Sequence, residues 1–133
     1  MGEVTDLWPN ITDLQGPYDL ILLDPPFAHP TYHKSAVPYE TLPPMEFKKL
    51  KPILDKIMAM DSALLIWCSG KNIEDVLYLV NYWGYKYKGI LLVWFKVKDK
   101  PGLGYWTRSD TEFIIFATKG KFSKFRGNAR NIA

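Results

Sequence analysis

The 133-residue sequence has a single cysteine, no long apolar run and no lysine or arginine before Lys34. One cysteine, Cys68, excludes an intrachain disulfide, so a reducing compartment is the default expectation. The longest apolar runs, residues 63–68 and 89–95, are far shorter than the roughly 20 residues of a membrane-spanning helix, so we expect no membrane contact. No charged leader opens the chain, which predicts an intracellular protein, cytoplasmic in a microbe or virus and nuclear in a eukaryote.

The composition is that of a folded domain, with 47% hydrophobic and 23% charged residues, and it excludes wholesale disorder. The length predicts one domain over residues 1–133. Aromatic residues make up 15%, more than packing needs in so short a chain, so some are candidates to contact a ligand.

Charge is divided unevenly along the chain. The first 33 residues contain acids but no lysine or arginine, whereas residues 86–108 hold six basic residues against Asp99 alone. A basic half suits a polyanion such as nucleic acid, and it is equally typical of a solvated lysine-rich surface.

Strands and helices alternate in the pattern. Residues 18–23 form a short apolar run, broken only by Asp19, which predicts a central strand covered on both faces. The later predicted elements are a helical stretch over 45–60 broken at Pro52, a strand over 62–68, a helix begun by Asn72, and strands over 87–96 and 112–118. This order predicts an α/β fold with a mostly parallel sheet, helices on both faces and a final antiparallel hairpin.

A short acidic and proline-rich motif, Asp24-Pro25-Pro26-Phe27, directly follows the first predicted strand. In open α/β sheets, ligands bind beyond the carboxyl ends of the strands. A carboxylate and a proline carbonyl can accept hydrogen bonds from the exocyclic amine of a base, while an aromatic ring offers a stacking face. The alternative is that the prolines simply turn the chain.

Several segments together resemble the MT-A family, the S-adenosylmethionine-dependent adenine-N6 methyltransferases related to the seventy-kilodalton mRNA methyltransferase subunit. The segments are Tyr18 to Phe27, Pro38 to Leu42, Leu64 to Trp67, Trp83 to Tyr85, Val93 to Lys96, Gly104 to Trp106, Glu112, and Lys119 with Gly120. They occur in family order over most of the chain, although the family usually has tryptophan where Phe27 stands.

The resemblance implies a Rossmann-like fold, S-adenosylmethionine as cofactor, nucleic acid as substrate, and a homodimer or a heterodimer with a related subunit. It implies site roles in three groups: catalytic Asp24, Pro25, Pro26 and Phe27; cofactor-binding Asp6, Leu7, Asp24 and Lys119; and substrate-binding Phe27, Tyr39 and Lys96. No metal is implied, and the pair His29 and His33 lacks further ligands for zinc.

Each of these residues also has a structural interpretation. Asp6 can cap a helix, Tyr39 can pack on the surface, and Lys119 can be a solvated strand end. Lys96 can snorkel, Glu112 can be structural, and the tryptophans Trp67, Trp83 and Trp94 are typical of a core.

The function this predicts is methylation of adenine N6 in DNA or RNA, with DNA slightly favoured. The family's later cofactor segment does not appear before Ala133, so we expect an incomplete cofactor pocket and weak cofactor binding. Two other functions stay open: a non-catalytic subunit that binds nucleic acid beside an active partner, and an enzyme acting on a free nucleoside or small amine.

Overall fold

Four strands form one sheet in the computed structural model, which describes residues 3–28, 38–97 and 111–123. The strands are β1 (Tyr18–Leu23), β2 (Met58–Cys68), β3 (Lys86–Phe95) and β4 (Thr111–Lys119). The α-helices are α1 (Val4–Leu7), α2 (Lys51–Ile57) and α3 (Ile73–Tyr82), and two 3-10 helices span Ile11–Asp13 and Pro44–Leu50.

The sheet is mixed, with the strand order β1-β2-β4-β3. β1 pairs parallel with β2, whereas β4 lies between β2 and β3 and is antiparallel to both. The predicted antiparallel pairing of the last two strands is therefore confirmed. The prediction of a mostly parallel sheet was wrong for the pairings, because β4 inserts between strands that themselves run in one direction.

The predicted helices are present with adjusted bounds. Pro52 lies in the first turn of α2, where its missing N–H costs no helical hydrogen bond, and it follows the 3-10 helix Pro44–Leu50 directly. α3 ends before Gly84, whose φ of 89° is a conformation that favours glycine.

One face of the sheet carries the core. Leu64 and Ile66 of β2 are fully buried with Val76 and Leu79 of α3 and with Trp83, which follows that helix. At this spacing the apolar stripe of α3 faces alternate residues of the strands.

The other face, which we call the open face, includes Leu20, Leu22, Leu65, Trp67 and Trp94. Leu20 and Leu22 are 44% and 56% exposed. The expectations of a central β1 and of helices on both faces are therefore not met within the described residues. An apolar run predicts that a strand favours burial, but it does not indicate which elements cover the strand.

Among the described residues, no helix has the length and apolar character needed to cross a bilayer.

Candidate active site

The acidic and proline-rich motif leaves the carboxyl end of β1 as a tightly held turn. The Phe27 N–H donates to the Pro25 carbonyl at 2.9 Å, and the Leu42 N–H donates to the Pro26 carbonyl at 3.0 Å. The Ala28 N–H in turn donates to the Leu42 carbonyl at 2.7 Å. Two backbone hydrogen bonds to Leu42 therefore hold the motif in place. Asp24 begins this turn, and its side chain is exposed.

The turn differs from the expectation in two respects. The Pro25 carbonyl, which we expect to accept the amine of a base, already accepts the Phe27 N–H, because Phe27 is the first residue after Pro25 that has a backbone N–H. Its second lone pair remains an acceptor site. The Phe27 ring is only 9% exposed and packs edge-on against Phe47, with ring centroids 5.1 Å apart. Only part of this ring is therefore available for stacking.

A cavity of about 590 Å³ opens beside the motif. It brings together most of the predicted site: Asp6, Leu7, Asp24, Pro25, Pro26, Phe27 and Tyr39. Tyr39 is 59% exposed, so much of its ring can contact a ligand. Residues from the N-terminal segment, from the end of β1 and from the segment after residue 37 thus meet at one end of the sheet.

The cavity wall is acidic. Asp6, Asp24, Glu40 and Glu112 line it, and the described lining includes no lysine or arginine. Partial burial, and next the negative charge of Glu112, raise the pKa of Asp24 above its ordinary 3.8. Carboxylates and aromatic rings together favour a cationic ligand.

Asp6 has a structural role as well as a place in the cavity wall. Its Oδ2 accepts the Glu3 N–H at 3.2 Å at the start of α1, and this hydrogen bond is the main cause of a lowered pKa of Asp6. The capping interpretation of Asp6 is therefore confirmed, while its predicted contact with a cofactor stays a prediction.

Lys96 lies just outside the cavity and is bound to its wall. The Lys96 Nζ is 2.5 Å from the Glu112 Oε1, and it lies 5.0 Å from the ring centroid of Trp94. Lys96 thus offsets part of the negative charge that Glu112 presents to Asp24.

Lys119 is not brought to the cavity. It lies at the end of β4 opposite Ser62, near the start of β2, whereas Leu23, just before Asp24, lies beside Ile66. Its ammonium instead lies 5.8 Å from the ring centroid of Tyr85. The predicted cofactor contact of Lys119 is therefore not supported, because an antiparallel strand ends at the edge of the sheet away from Asp24.

Glu112 lines the cavity directly, whereas its sequence position predicted only a structural role or an indirect one beside the site. It begins β4, and an antiparallel last strand begins at the edge where parallel strands end. The predicted hairpin already contained this signal.

Trp67, Ser69 and Asn72 also line the cavity, and no sequence signal separates them from core or turn residues. Asn72 precedes α3 as predicted, but its Oδ1 accepts the Ser69 N–H at 2.9 Å instead of capping the helix. Burial raises the pKa of the neighbouring Cys68 thiol to about 12, consistent with a small buried residue.

The tryptophans expected in the core occupy different environments. Trp83 is completely buried and donates its Nε1–H to the Phe47 carbonyl at 3.0 Å. Trp67 is half-buried at the cavity, and Trp94 is 45% exposed. The core interpretation is thus confirmed for Trp83 and wrong for Trp94. His29 and His33 lie outside the described residues, as do the segments 98–110 and 124–133.

An α/β sheet with an acid-lined cavity at the carboxyl ends of its parallel strands defines a class of ligand-binding domain. The sequence profile of one family, MT-A70, matches residues 18–132. The chain therefore belongs to the MT-A70 family, which is a family of methyltransferases. It is similar to the type II methyltransferase M.MunI of Mycoplasma sp, with 31% identity over 86% of this chain. The chain spans 56% of the length of that relative.

Proposed function

We propose that this protein transfers a methyl group from S-adenosylmethionine to the N6 amine of adenine in nucleic acid. The observation that carries the proposal is the Asp24 carboxylate, placed at the carboxyl end of β1 beside the Pro25 carbonyl and open to a cavity of about 590 Å³. Family membership supports methyl transfer, and the motif supports an amine as the acceptor.

The cavity suits this cofactor by its charge. S-adenosylmethionine carries a sulfonium, an ammonium and a carboxylate, so its net charge is positive, and it supplies an electrophilic methyl group when bound. Four carboxyl side chains in the wall attract such a cation, while Trp8 and Phe27 offer aromatic surface. Asp6 and Leu7 are the residues we assign to the cofactor's adenine, following the family resemblance.

Asp24 and Pro25 orient the acceptor amine. An Asp24 oxygen accepts one N6 hydrogen, and the second lone pair of the Pro25 carbonyl accepts the other. Two acceptors on one amine draw its lone pair out of conjugation with the purine ring, which makes the nitrogen a better nucleophile. The raised pKa of Asp24 also makes its carboxylate a better proton acceptor as the N6 proton leaves.

The adenine ring needs a stacking surface, and Tyr39 is the more accessible aromatic side chain for it. Tyr39 is 59% exposed, whereas Phe27 is 9% exposed and packs into the core beneath the turn that it belongs to. In a duplex the base must leave the helix to reach this cavity. We favour DNA over RNA because the relative in Mycoplasma is a type II methyltransferase.

Substitution of Asp24 tests this function. We expect Asp24→Ala to lower the rate of tritiated methyl transfer to DNA at least about 100-fold, because the amine loses its charged acceptor. Asp13→Ala is the matched control, since Asp13 is an exposed acid outside the cavity lining, and it should keep the wild-type rate. Unaltered circular dichroism of both variants excludes unfolding, and substantial turnover by Asp24→Ala would refute the role.

The position of Lys119 favours a second candidate, a non-catalytic subunit that binds nucleic acid. With Lys119 at the far end of the sheet, Asp6, Leu7 and Asp24 are the predicted cofactor contacts that remain together. Titration calorimetry separates the two functions. Binding of S-adenosylmethionine supports the enzyme, whereas binding of DNA without any binding of the cofactor supports the non-catalytic subunit.

A further inference from the structure

The exposed side chain of Trp94 lies beside the proposed acceptor site and has no part in the chemistry assigned above. Trp94 is on β3 and directly faces Glu112 of β4, which lines the cavity. Its indole is 45% exposed, although large aromatic side chains are on average well buried. The exposed ring is therefore one strand away from the acceptor cavity.

Two neighbours hold this ring in place. Trp67, which lines the cavity, packs against Trp94 at a ring-centroid distance of 6.1 Å and an interplanar angle of 70°. The Lys96 ammonium lies 5.0 Å from the Trp94 ring centroid and is bound to Glu112. A ring fixed by an aromatic contact and a cation is preorganised to bind another flat group, because little side-chain freedom remains to be lost.

The charges around this ring indicate where a nucleic-acid backbone can run. The acid-lined cavity repels phosphate, so the backbone on either side of a bound adenine must lie outside it. Lys96 is a cation at this rim, and its ammonium has three donors, of which the Glu112 contact uses one. Lys96 can therefore contact a phosphate without leaving Glu112.

We propose that Trp94 and Lys96 form a subsite for the nucleotide next to the target adenine, with the neighbouring base stacked on the Trp94 indole and its phosphate at the Lys96 ammonium. This inference rests on the proposed methylation of nucleic acid. It requires that the substrate have at least one nucleotide beside the target adenine. A free nucleoside has no second base or bridging phosphate, so it cannot use this subsite.

The test measures binding of single-stranded DNA in the absence of cofactor. The first probe is a labelled oligothymidylate with one central adenine, and the second has abasic residues on both sides of that adenine. We expect Trp94→Ala to bind the first probe roughly 5- to 150-fold more weakly than the wild type, the range for loss of one base stack. The two proteins should bind the abasic probe equally, because the positions next to the adenine carry no base that could stack on the indole.

Three further variants separate stacking from damage to the fold. Trp94→Phe should retain most of the affinity, because it keeps an aromatic face. Phe95→Ala is the matched control, since Phe95 is the next residue, is 57% exposed and points to the other face of β3, and it should bind like the wild type. Lys96→Gln should reduce the salt dependence of log K by about 0.7, the value for one single-strand phosphate contact.

Several results would overturn the subsite. They are unchanged binding by Trp94→Ala, an equal loss on both probes, no binding of either probe by the wild type, or a change in self-association at constant DNA affinity. Methylation of the first probe, measured in parallel, keeps the two proposals distinguishable. Methylation with Trp94-independent binding contradicts the subsite alone, whereas Trp94-dependent binding without methylation contradicts the methyl transfer alone.

Discussion

Polar side chains at the two ends of the sheet have opposite environments. At the end where β2 begins, the Ser62 hydroxyl and the Tyr85 hydroxyl are both buried and hydrogen-bonded to each other at 2.9 Å. At the end where β1 and β2 finish, Asp24 and Glu112 are like charges on one cavity wall. Pairing of buried polar groups stabilises a fold, whereas like charges kept close together are typical of a functional site.

Buried, hydrogen-bonded groups outside the cavity lining should therefore govern stability, and Trp83 should have the largest effect among them. Trp83 is completely buried and bonded to the Phe47 carbonyl, so Trp83→Ala leaves both a large cavity and an unpaired acceptor. We expect a loss of about 3–5 kcal/mol in the free energy of unfolding, measured by urea denaturation. A loss below about 1 kcal/mol would show that these buried groups do not govern stability.

The Ser62–Tyr85 pair should have a smaller effect of the same kind. Tyr85→Phe leaves the buried Ser62 hydroxyl without its partner, which should cost about 1–3 kcal/mol of unfolding free energy. Adding Ser62→Ala should recover part of this loss, because the unpaired hydroxyl is then gone. Methyl transfer by the folded variants should keep its wild-type rate, and a selective loss of activity would break the contrast between the two ends.

At the cavity end, Glu112 should affect the pH dependence of methyl transfer. The ionised Asp24 is the acceptor, so activity is present above the raised pKa of Asp24 and is lost as the pH falls through it. Glu112→Gln removes the repulsion, so the acid limb of the pH–rate profile should move to lower pH. Partial burial is the larger cause of the raised pKa of Asp24, and it remains in this variant. The midpoint of the acid limb should therefore stay above 3.8, the ordinary pKa of an aspartate.

The control for this shift is Glu74→Gln, because Glu74 is an exposed acid in the first turn of α3 and is outside the cavity lining. Its profile should match that of the wild type. An acid limb that stays in place in Glu112→Gln would show that Glu112 does not act on Asp24.

Local pattern was sufficient to predict the elements and the central motif. Residues 18–23 form a strand, α3 occupies the stretch after Asn72, and Asp24 follows the first strand as predicted. These features depend on short-range spacing and on turn chemistry, which a sequence displays directly.

The order of the strands and the identity of neighbouring side chains could not be predicted from local sequence patterns. The insertion of β4 between β2 and β3 places Glu112 beside the strand that ends at the cavity. The direction of β4, which puts Lys119 at the opposite end of the sheet, already followed from the predicted hairpin. Neither the Phe27 hydrogen bond to Pro25 nor the exposure of Trp94 follows from residue type, because both depend on what packs nearby. Most of the predictions that were wrong therefore concern contacts between segments that are distant in the sequence.

The central claim is that Asp24 holds an adenine amine for methylation. The most direct measurement is mass spectrometry of nucleosides from DNA incubated with the protein and S-adenosylmethionine that carries a deuterated methyl group. We predict labelled N6-methyladenine with the wild type and with Asp13→Asn, and none with a correctly folded Asp24→Asn. Labelled N6-methyladenine from Asp24→Asn, or a label found only on another base, would contradict the claim.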